Sequence, residues 1–178
     1  MVEFRGTHGT CASRARRIEA QGFQLRTGRQ GAGAYFWREN RLSRTLAIAW
    51  FRNARNLREY EHEPDTRCAI ISAIIVVGED EWLDLCDPEA IDQILCLFVD
   101  KGFTDNVDAS KLFEEYIDLV EHGLGVKFKV IRTQVISPNL AKDWPRQSIG
   151  RPFCYVVRDS SSITITNIDI LENREIEQ

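Results

Sequence analysis

A chain of 178 residues that is 43% hydrophobic and 28% charged has the size and make-up of one folded domain, 1–178, with an ordinary buried core. Its longest apolar run, Ala69 to Val77, is far shorter than the ~20 residues that cross a bilayer. Residues Met1 to Arg5 lack the apolar stretch of a secretory signal, so a cytoplasmic protein with no membrane part is expected. The net charge is −4, and the five cysteines are scattered, odd in number and free of any Cys-x-x-Cys pair; this argues for reduced thiols rather than a disulfide framework or a metal site.

In chain order, Val2 to Thr7 predicts a short strand that ends at Gly6-Thr7-His8-Gly9-Thr10. A helix follows over about Cys11 to Gln21, with Gly22 as its C-cap. Arg29 to Ala34 reads as a glycine-rich loop leading into Tyr35-Phe36-Trp37, and a second helix is expected from about Leu42 to Ala54. Glu59 to Asp65 is read as a charged, solvated connection. The β-branched Ala69 to Val77 predicts a strand covered on both faces. Glu81 to Cys86 is a further extended piece, after which Asp87 caps a helix with Pro88 at its first position. Residues 90–124 are expected to be helical in two parts split near Gly102-Phe103-Thr104. Lys127 to Ile136 predicts a strand, Asn139 to Arg151 a loop-rich stretch, and Phe153 to Arg158 and Ile163 to Ile170 two closing strands. Strands, then helices, then strands argue for an α+β fold with mainly antiparallel pairing.

The charge is strongly segregated. Residues 1–58 hold twelve arginines against three glutamates, and residues 59–122 hold eighteen acidic against three basic side chains. Two outcomes follow: the basic segments together make a positive face for phosphates, or the blocks neutralise one another across the folded surface.

Three separated pieces carry chemistry. Thr7-His8-Gly9-Thr10 puts an imidazole between a strand and a helix. Gly31-Ala32-Gly33-Ala34-Tyr35-Phe36 lets backbone approach a ligand beside a flat aromatic face. Phe153 to Asp159 is, by itself, a core strand. Glu79-Asp80-Glu81 resembles a catalytic Glu-x-Glu, and its plain reading is a solvated turn after a buried strand. His62, His122, Trp82 and Trp144 read as surface or packing residues.

Together, T-H-G-T, a helix, Gly22-Phe23, G-x-G-x-Y-F-W and an Ala/Trp-containing helix resemble the NAD⁺-binding half of the diphtheria-toxin and poly(ADP-ribose) polymerase class of ADP-ribosyltransferases. Leu83-Asp84-Leu85-Cys86-Asp87-Pro88-Glu89 is similar to an LDLTDPE stretch of a bacterial toxin branch, and Tyr155-Val156-Val157-Arg158-Asp159 with Ile163 to its closing strand. The resemblance implies an ADP-ribosyltransferase fold, a split and mainly antiparallel β-sandwich flanked by helices, with NAD⁺ as substrate and no metal. It implies His8, Tyr35 and Cys154 at the catalytic positions. NAD⁺ would be bound by His8 on the nicotinamide ribose, by Gly9 and Thr10 on the carboxamide, by Gly33 and Tyr35 around the nicotinamide, and by Arg26 near the pyrophosphate or adenosine, with Arg29 as a second candidate. Cys154 stands where the family has Glu or Gln; nearby Asp159 is a poor substitute because strand alternation points it to the other face, and Gln147, seven residues earlier, is the candidate to swing in. The implied activity is that of a mono-ADP-ribosyltransferase toxin, in toxin–antitoxin or phage-defence settings. Its acceptor is RNA or DNA slightly ahead of protein, and an antitoxin protein is an implied partner. An NAD⁺ glycohydrolase and a catalytically dead NAD⁺- or ADP-ribose-binding module are the alternatives.

Overall fold

The computed structural model describes residues 1–28, 31–102, 109–137 and 151–172. Arg29, Trp144, Gln147, most of the loop-rich stretch 139–151 and the break at Phe103-Thr104 lie outside the described residues. The elements run β1 (Val2–Cys11), α1 (Ala12–Gln21), β2 (Arg26–Gly28), β3 (Gly31–Arg38), α2 (Ser43–Asn56), β4 (Cys68–Val77), β5 (Trp82–Asp84), α3 (Pro88–Asp100), α4 (Ala109–Leu124), β6 (Val130–Gln134), β7 (Phe153–Val157) and β8 (Ile163–Ile170).

The fold is α+β, built on an open sheet of order β5-β6-β7-β3-β1-β4-β8, with β2 added to β3 as a hairpin. Every pairing is antiparallel except β5 with β6. The strands form one hydrogen-bonded path, which replaces the expected sandwich of separate sheets. That path is nevertheless thin at one place. β1 pairs with β4 over its whole length, from Val2–Val77 to Cys11–Cys68, whereas its ladder to β3 consists of Gly6–Arg38 and Thr7–Trp37 alone. Beyond Thr7 the two strands part.

Strand alternation sorts the core into layers. On one face, Ala69, Ile71, Ala73, Ile75 and Val77 pack with Ala15 of α1, Phe4, Phe23 and Phe36. On the other, Cys68 and Ile70 meet Leu46, Ala47 and Phe51 of α2. The first half of β4 is therefore covered on both sides, as its apolar sequence predicts. The second half is one-sided, with Val76 exposed. Farther along the sheet, α3 and α4 cover Ile131 and Val156. Asp87 caps α3 by accepting from the Glu89 N–H at 2.9 Å. Among the described residues, no helix is long and apolar enough to cross a membrane.

Two expected boundaries move. β1 runs on through His8, Gly9 and Thr10 to Cys11, so the motif lies within a strand, because β4 supplies ladder partners for every one of these residues. The glycine-rich stretch is likewise strand from Gly31 onward. Gly33 pairs with Arg26, and a Cβ there would lie 2.6 Å from Val156 Cγ1 and 2.8 Å from the Val157 carbonyl oxygen. Close strand approach, rather than loop formation, explains that glycine.

Glu121, 2% exposed, ties the far end of the sheet together. It accepts from Lys127 Nζ at 2.5 Å, the Phe128 N–H at 2.9 Å and Arg158 at 2.5 Å. Burial alone would raise its carboxyl pKa, and these three donors more than offset that, holding it below the ordinary value. A depressed folded pKa means that stability is present above the unfolded value and is lost as pH falls through the folded one. Glu121→Ala leaves Arg158 beside an emptied buried site and is expected to cost roughly 3 kcal/mol, as breaking a buried ion pair does. Urea denaturation at neutral pH measures this, and an unchanged midpoint would show that the triad contributes nothing.

Candidate functional site

Where β1 and β3 part, a cleft of about 380 Å³ opens, a size that suits a small-molecule ligand. His8, Gly9, Thr10, Arg26, Gly33 and Tyr35 all line it. Residues far apart in the sequence are brought together because β1 and β3 are neighbours that stop pairing at the point where the motif begins.

His8 holds the opening. Its Nδ1 lies 2.8 Å from the main-chain oxygen of Tyr35; a carbonyl only accepts, so Nδ1 carries the proton and donates. The side chain thus occupies the carbonyl that a continued β1–β3 ladder would offer to Gly9. Phe23 meets the imidazole edge-on at 5.3 Å and Phe36 lies 5.8 Å away. Phe23 is brought there by Gly22, whose φ of 77° turns the chain at the end of α1 while its N–H bonds the Ile18 carbonyl at 2.8 Å. Burial lowers the His8 pKa below its ordinary value, against the opposing pull of the Tyr35 carbonyl. At neutral pH the ring is uncharged, with Nδ1 as donor and Nε2 as an acceptor for a hydroxyl.

Gly9 is fixed from the opposite side. A Cβ there would sit 1.9 Å from the Ala47 carbonyl oxygen, so α2 lies directly against the strand. The Arg5 carbonyl accepts from the Glu39 N–H at 2.9 Å. Strand alternation then turns the Gly9 N–H and C=O toward the β3 side, into the cleft mouth. Thr10 is buried, and its hydroxyl bonds the Tyr60 phenol.

Tyr35 is half-buried, and its hydroxyl donates to the Gly31 carbonyl at 2.8 Å within the β2–β3 hairpin. The ring fills the space where Gly28 has no side chain: a Cβ there would lie 2.6 Å from the Tyr35 oxygen. Gly28 is thus a site residue that sequence reading missed, because a lone glycine after Arg26-Thr27 carries no signal of its own. Arg26 stands exposed on β2 at the cleft edge.

Cys154 is placed differently. It is 2% exposed, sits beside Trp37 and Val135, and lines a separate small cavity with His8, Gly9, Tyr35 and Trp50 rather than the main cleft. Burial drives its thiol pKa far up, so it is neither thiolate nor carboxylate at neutral pH.

The stretch 59–65 does more than connect α2 to β4. The stretch is largely exposed, as expected, but Tyr60 is buried, and Glu59, Tyr60 and Glu63 line the cleft together with Arg14, Arg17, Ile18 and Gln21 of α1. Glu63 accepts from Arg17 at 2.6 Å, from Arg14 Nε at 2.9 Å and from the Ser13 hydroxyl at 3.0 Å. The Arg17 bond leads in holding its pKa down to about 2. Arg14 also lies 4.7 Å over the Tyr60 ring. The i, i+3 spacing of Arg14 and Arg17 on α1 was the available signal, but nothing in the sequence named Glu63 as their partner. Glu79 and Glu81 lie in the turn after β4, where Glu81 caps the Gly78 N–H at 2.7 Å and pairs with Lys129.

No protein-family model and no curated protein matches this chain. The site therefore stands on its own geometry: a neutral imidazole acceptor, main-chain groups of a glycine, a pinned tyrosine ring and arginines at the rim. Among the described residues, no group of three His, Cys, Asp or Glu side chains is arranged to hold a metal ion.

Burial also sets thiol reactivity. Iodoacetamide applied to the native protein should modify exposed Cys96 while sparing buried Cys11, Cys68 and Cys154, as read by peptide mass spectrometry. Equal labelling of Cys154 and Cys96 would place Cys154 at an open surface instead.

Proposed function

We propose that the cleft binds NAD⁺ and that the protein is a mono-ADP-ribosyltransferase that hands ADP-ribose to a macromolecular acceptor. The observation that carries this reading is the meeting, in one cleft, of His8, Gly9, Gly33 and Tyr35. The resemblance assigns these residues to the nicotinamide riboside half of NAD⁺, and they come from two strands that need not have diverged there.

Each group has a physical task. His8 Nε2 accepts a hydrogen bond from a ribose hydroxyl, and its Nδ1 bond to the Tyr35 carbonyl keeps the ring in that tautomer. The Gly9 main chain offers one donor and one acceptor, the complement of a carboxamide. Tyr35, tethered to Gly31, presents a ring whose position is set before ligand arrives, so little ordering entropy is lost on stacking. Arg26 stands toward the phosphates. In the reaction the acceptor nucleophile bonds to C1′ of the ribose as the bond to the nicotinamide nitrogen breaks. The bonding pair leaves with nicotinamide, which becomes neutral, and the acceptor's proton goes to solvent. Positive charge builds on the ribose on the way, and polar groups already aimed at that ring lower the barrier without reorganising.

A second reading has its own support. Cys154 supplies no carboxylate to activate an acceptor, and Glu63 is held by Arg14, Arg17 and Ser13. Water is then the competing nucleophile, and the protein an NAD⁺ glycohydrolase. The same lack of a carboxylate favours single-unit transfer over chain growth.

His8→Ala and Tyr35→Ala should each lower nicotinamide release from NAD⁺ by more than about tenfold, the scale of one lost transition-state contact, while the circular dichroism spectrum is retained. Wild-type rates in both variants would remove the site assignment. NAD⁺ labelled on its adenylate phosphate separates the two readings: label on nucleic acid or protein means transfer, and free ADP-ribose alone means hydrolysis.

The activity should also depend on pH through His8. Its pKa is lowered, so the rate is expected to stay level down to about pH 6.5 and to fall only below that value, as Nε2 gains a proton and ceases to accept. A fall centred above pH 6.5 would assign the titration to another group.

A further inference from the structure

The basic N-terminal block divides in two once folded. The arginines of α1 are consumed within the molecule: Arg14 and Arg17 pair with Glu63, and Arg16 pairs with Asp65, which Arg67 also holds. Those in and beside α2 are not. Residues 38–58 contain six arginines and a single acidic residue, Glu39. Among the described residues, Arg41, Arg52, Arg55 and Arg58 form no ion pair, and Arg44 alone pairs, with Asp169 in an exposed contact at 2.5 Å. Arg55 instead lies 5.6 Å over the Phe51 ring.

These guanidiniums share one side of the helix. At 100° per residue, Arg44, Arg52 and Arg55 fall within about 80° of one another, and exposed Arg41 lies in the turn just before the helix. Their fields converge on one buried group: burial drives the Cys68 thiol up to about 12, and Arg44, Arg52 and Arg55 all act against that rise. From Arg44 to Arg55 the stripe runs roughly 16 Å at 1.5 Å per residue. Its C-terminal end reaches Arg58, next in sequence to Glu59 and Tyr60 of the cleft wall.

Resting on the transferase reading above, we infer that this α2 stripe (Arg41, Arg44, Arg52, Arg55) is the docking surface for the phosphate backbone of a nucleic-acid acceptor, leading it toward the cleft mouth. The chemistry favours a polyphosphate over an acidic protein. Guanidiniums match phosphate oxygens with two donors each, they are spaced along a line, and the stripe contains no aromatic pocket that would anchor a protein partner. Only half-buried Ile48 lies among them. Recognition is then by backbone charge, independent of base sequence.

Fluorescence anisotropy of the full chain with labelled single-stranded DNA, single-stranded RNA and duplex DNA, each over a salt series, tests this. A four-arginine contact predicts a slope of log affinity against log salt of about −3 for a single strand. The double variant Arg52→Gln, Arg55→Gln should bring that slope to about −1.5 and weaken binding about tenfold or more. Arg52→Lys with Arg55→Lys should keep the slope. Nicotinamide release without acceptor should be unchanged in both, since neither residue lines the cleft. Binding that is undetectable at low salt for all three probes, or identical in the Gln variant and wild type, overturns the inference. So does ADP-ribose transfer to protein alone that persists in the Gln variant, which would make the acceptor a protein. A wild-type protein that releases no nicotinamide, yet binds oligonucleotides in a way that the Gln variant weakens, would instead count against the NAD⁺ reading and leave the surface standing.

Discussion

The bond from His8 Nδ1 to the Tyr35 carbonyl is the constraint on which the site depends. In a continued β1–β3 ladder Tyr35 and Gly9 would be the next hydrogen-bonded rung, and the carbonyl that rung needs is the one His8 holds. By taking that carbonyl, the imidazole ends the ladder after Thr7–Trp37 and fixes its own tautomer. It also leaves the Gly9 main chain turned toward the opening. One side-chain hydrogen bond thus sits where the strands part and sets the tautomer of the cleft's acceptor. The β4 ladder on the other flank of β1, continuous from Val2 to Cys11, keeps the strand straight while its partner departs.

Glycines set the distances around this bond. Gly9 lets α2 lie on β1, Gly28 leaves room for the Tyr35 ring, and Gly33 lets β3 approach β7. None is required for its dihedral angle. All three answer to crowding, which explains why a stretch rich in glycine folds as strand here although glycine is a poor strand residue. The same crowding seals Cys154 in the layer behind the cleft, between Trp37 and Val135.

Much of this was legible in the sequence. The apolar run of β4, the periodicities of α1 and α2, the Asp87-Pro88 start of α3 and the closing strands all follow from local pattern, and structure and pattern agree on them. The convergence of His8 and Tyr35 followed from motif order and not from any local rule. What escaped was of two kinds. Strand limits at Thr-His-Gly-Thr and at Gly31 are fixed by partners distant in the chain, which no window of sequence contains. The role of residues 59–65 depends on Arg14 and Arg17 of α1 bonding Glu63 directly beside the cleft. A run of Glu, Tyr, His and Asp looks solvated until its counter-charges are placed. The segregation of charge was plain to see, but not its division: the α1 arginines pair with Glu63 and Asp65, whereas Arg52 and Arg55 of α2 form no ion pair among the described residues.

The order of the sheet also bears on how the molecule comes into being. β3, which carries Tyr35, pairs with β7 through Tyr35–Val156, and β4 pairs with β8 through Ala69–Ile170. A ribosome releasing the chain from its N-terminus delivers the cleft-lining residues of β1 and β3 before their supporting strands β7 and β8. Contacts of such long sequence separation form slowly, because the intervening loop must close before they hold. The wall behind His8 and Tyr35 is therefore absent from the early nascent chain, and the cleft takes its final shape only once β7 and β8 have left the ribosome.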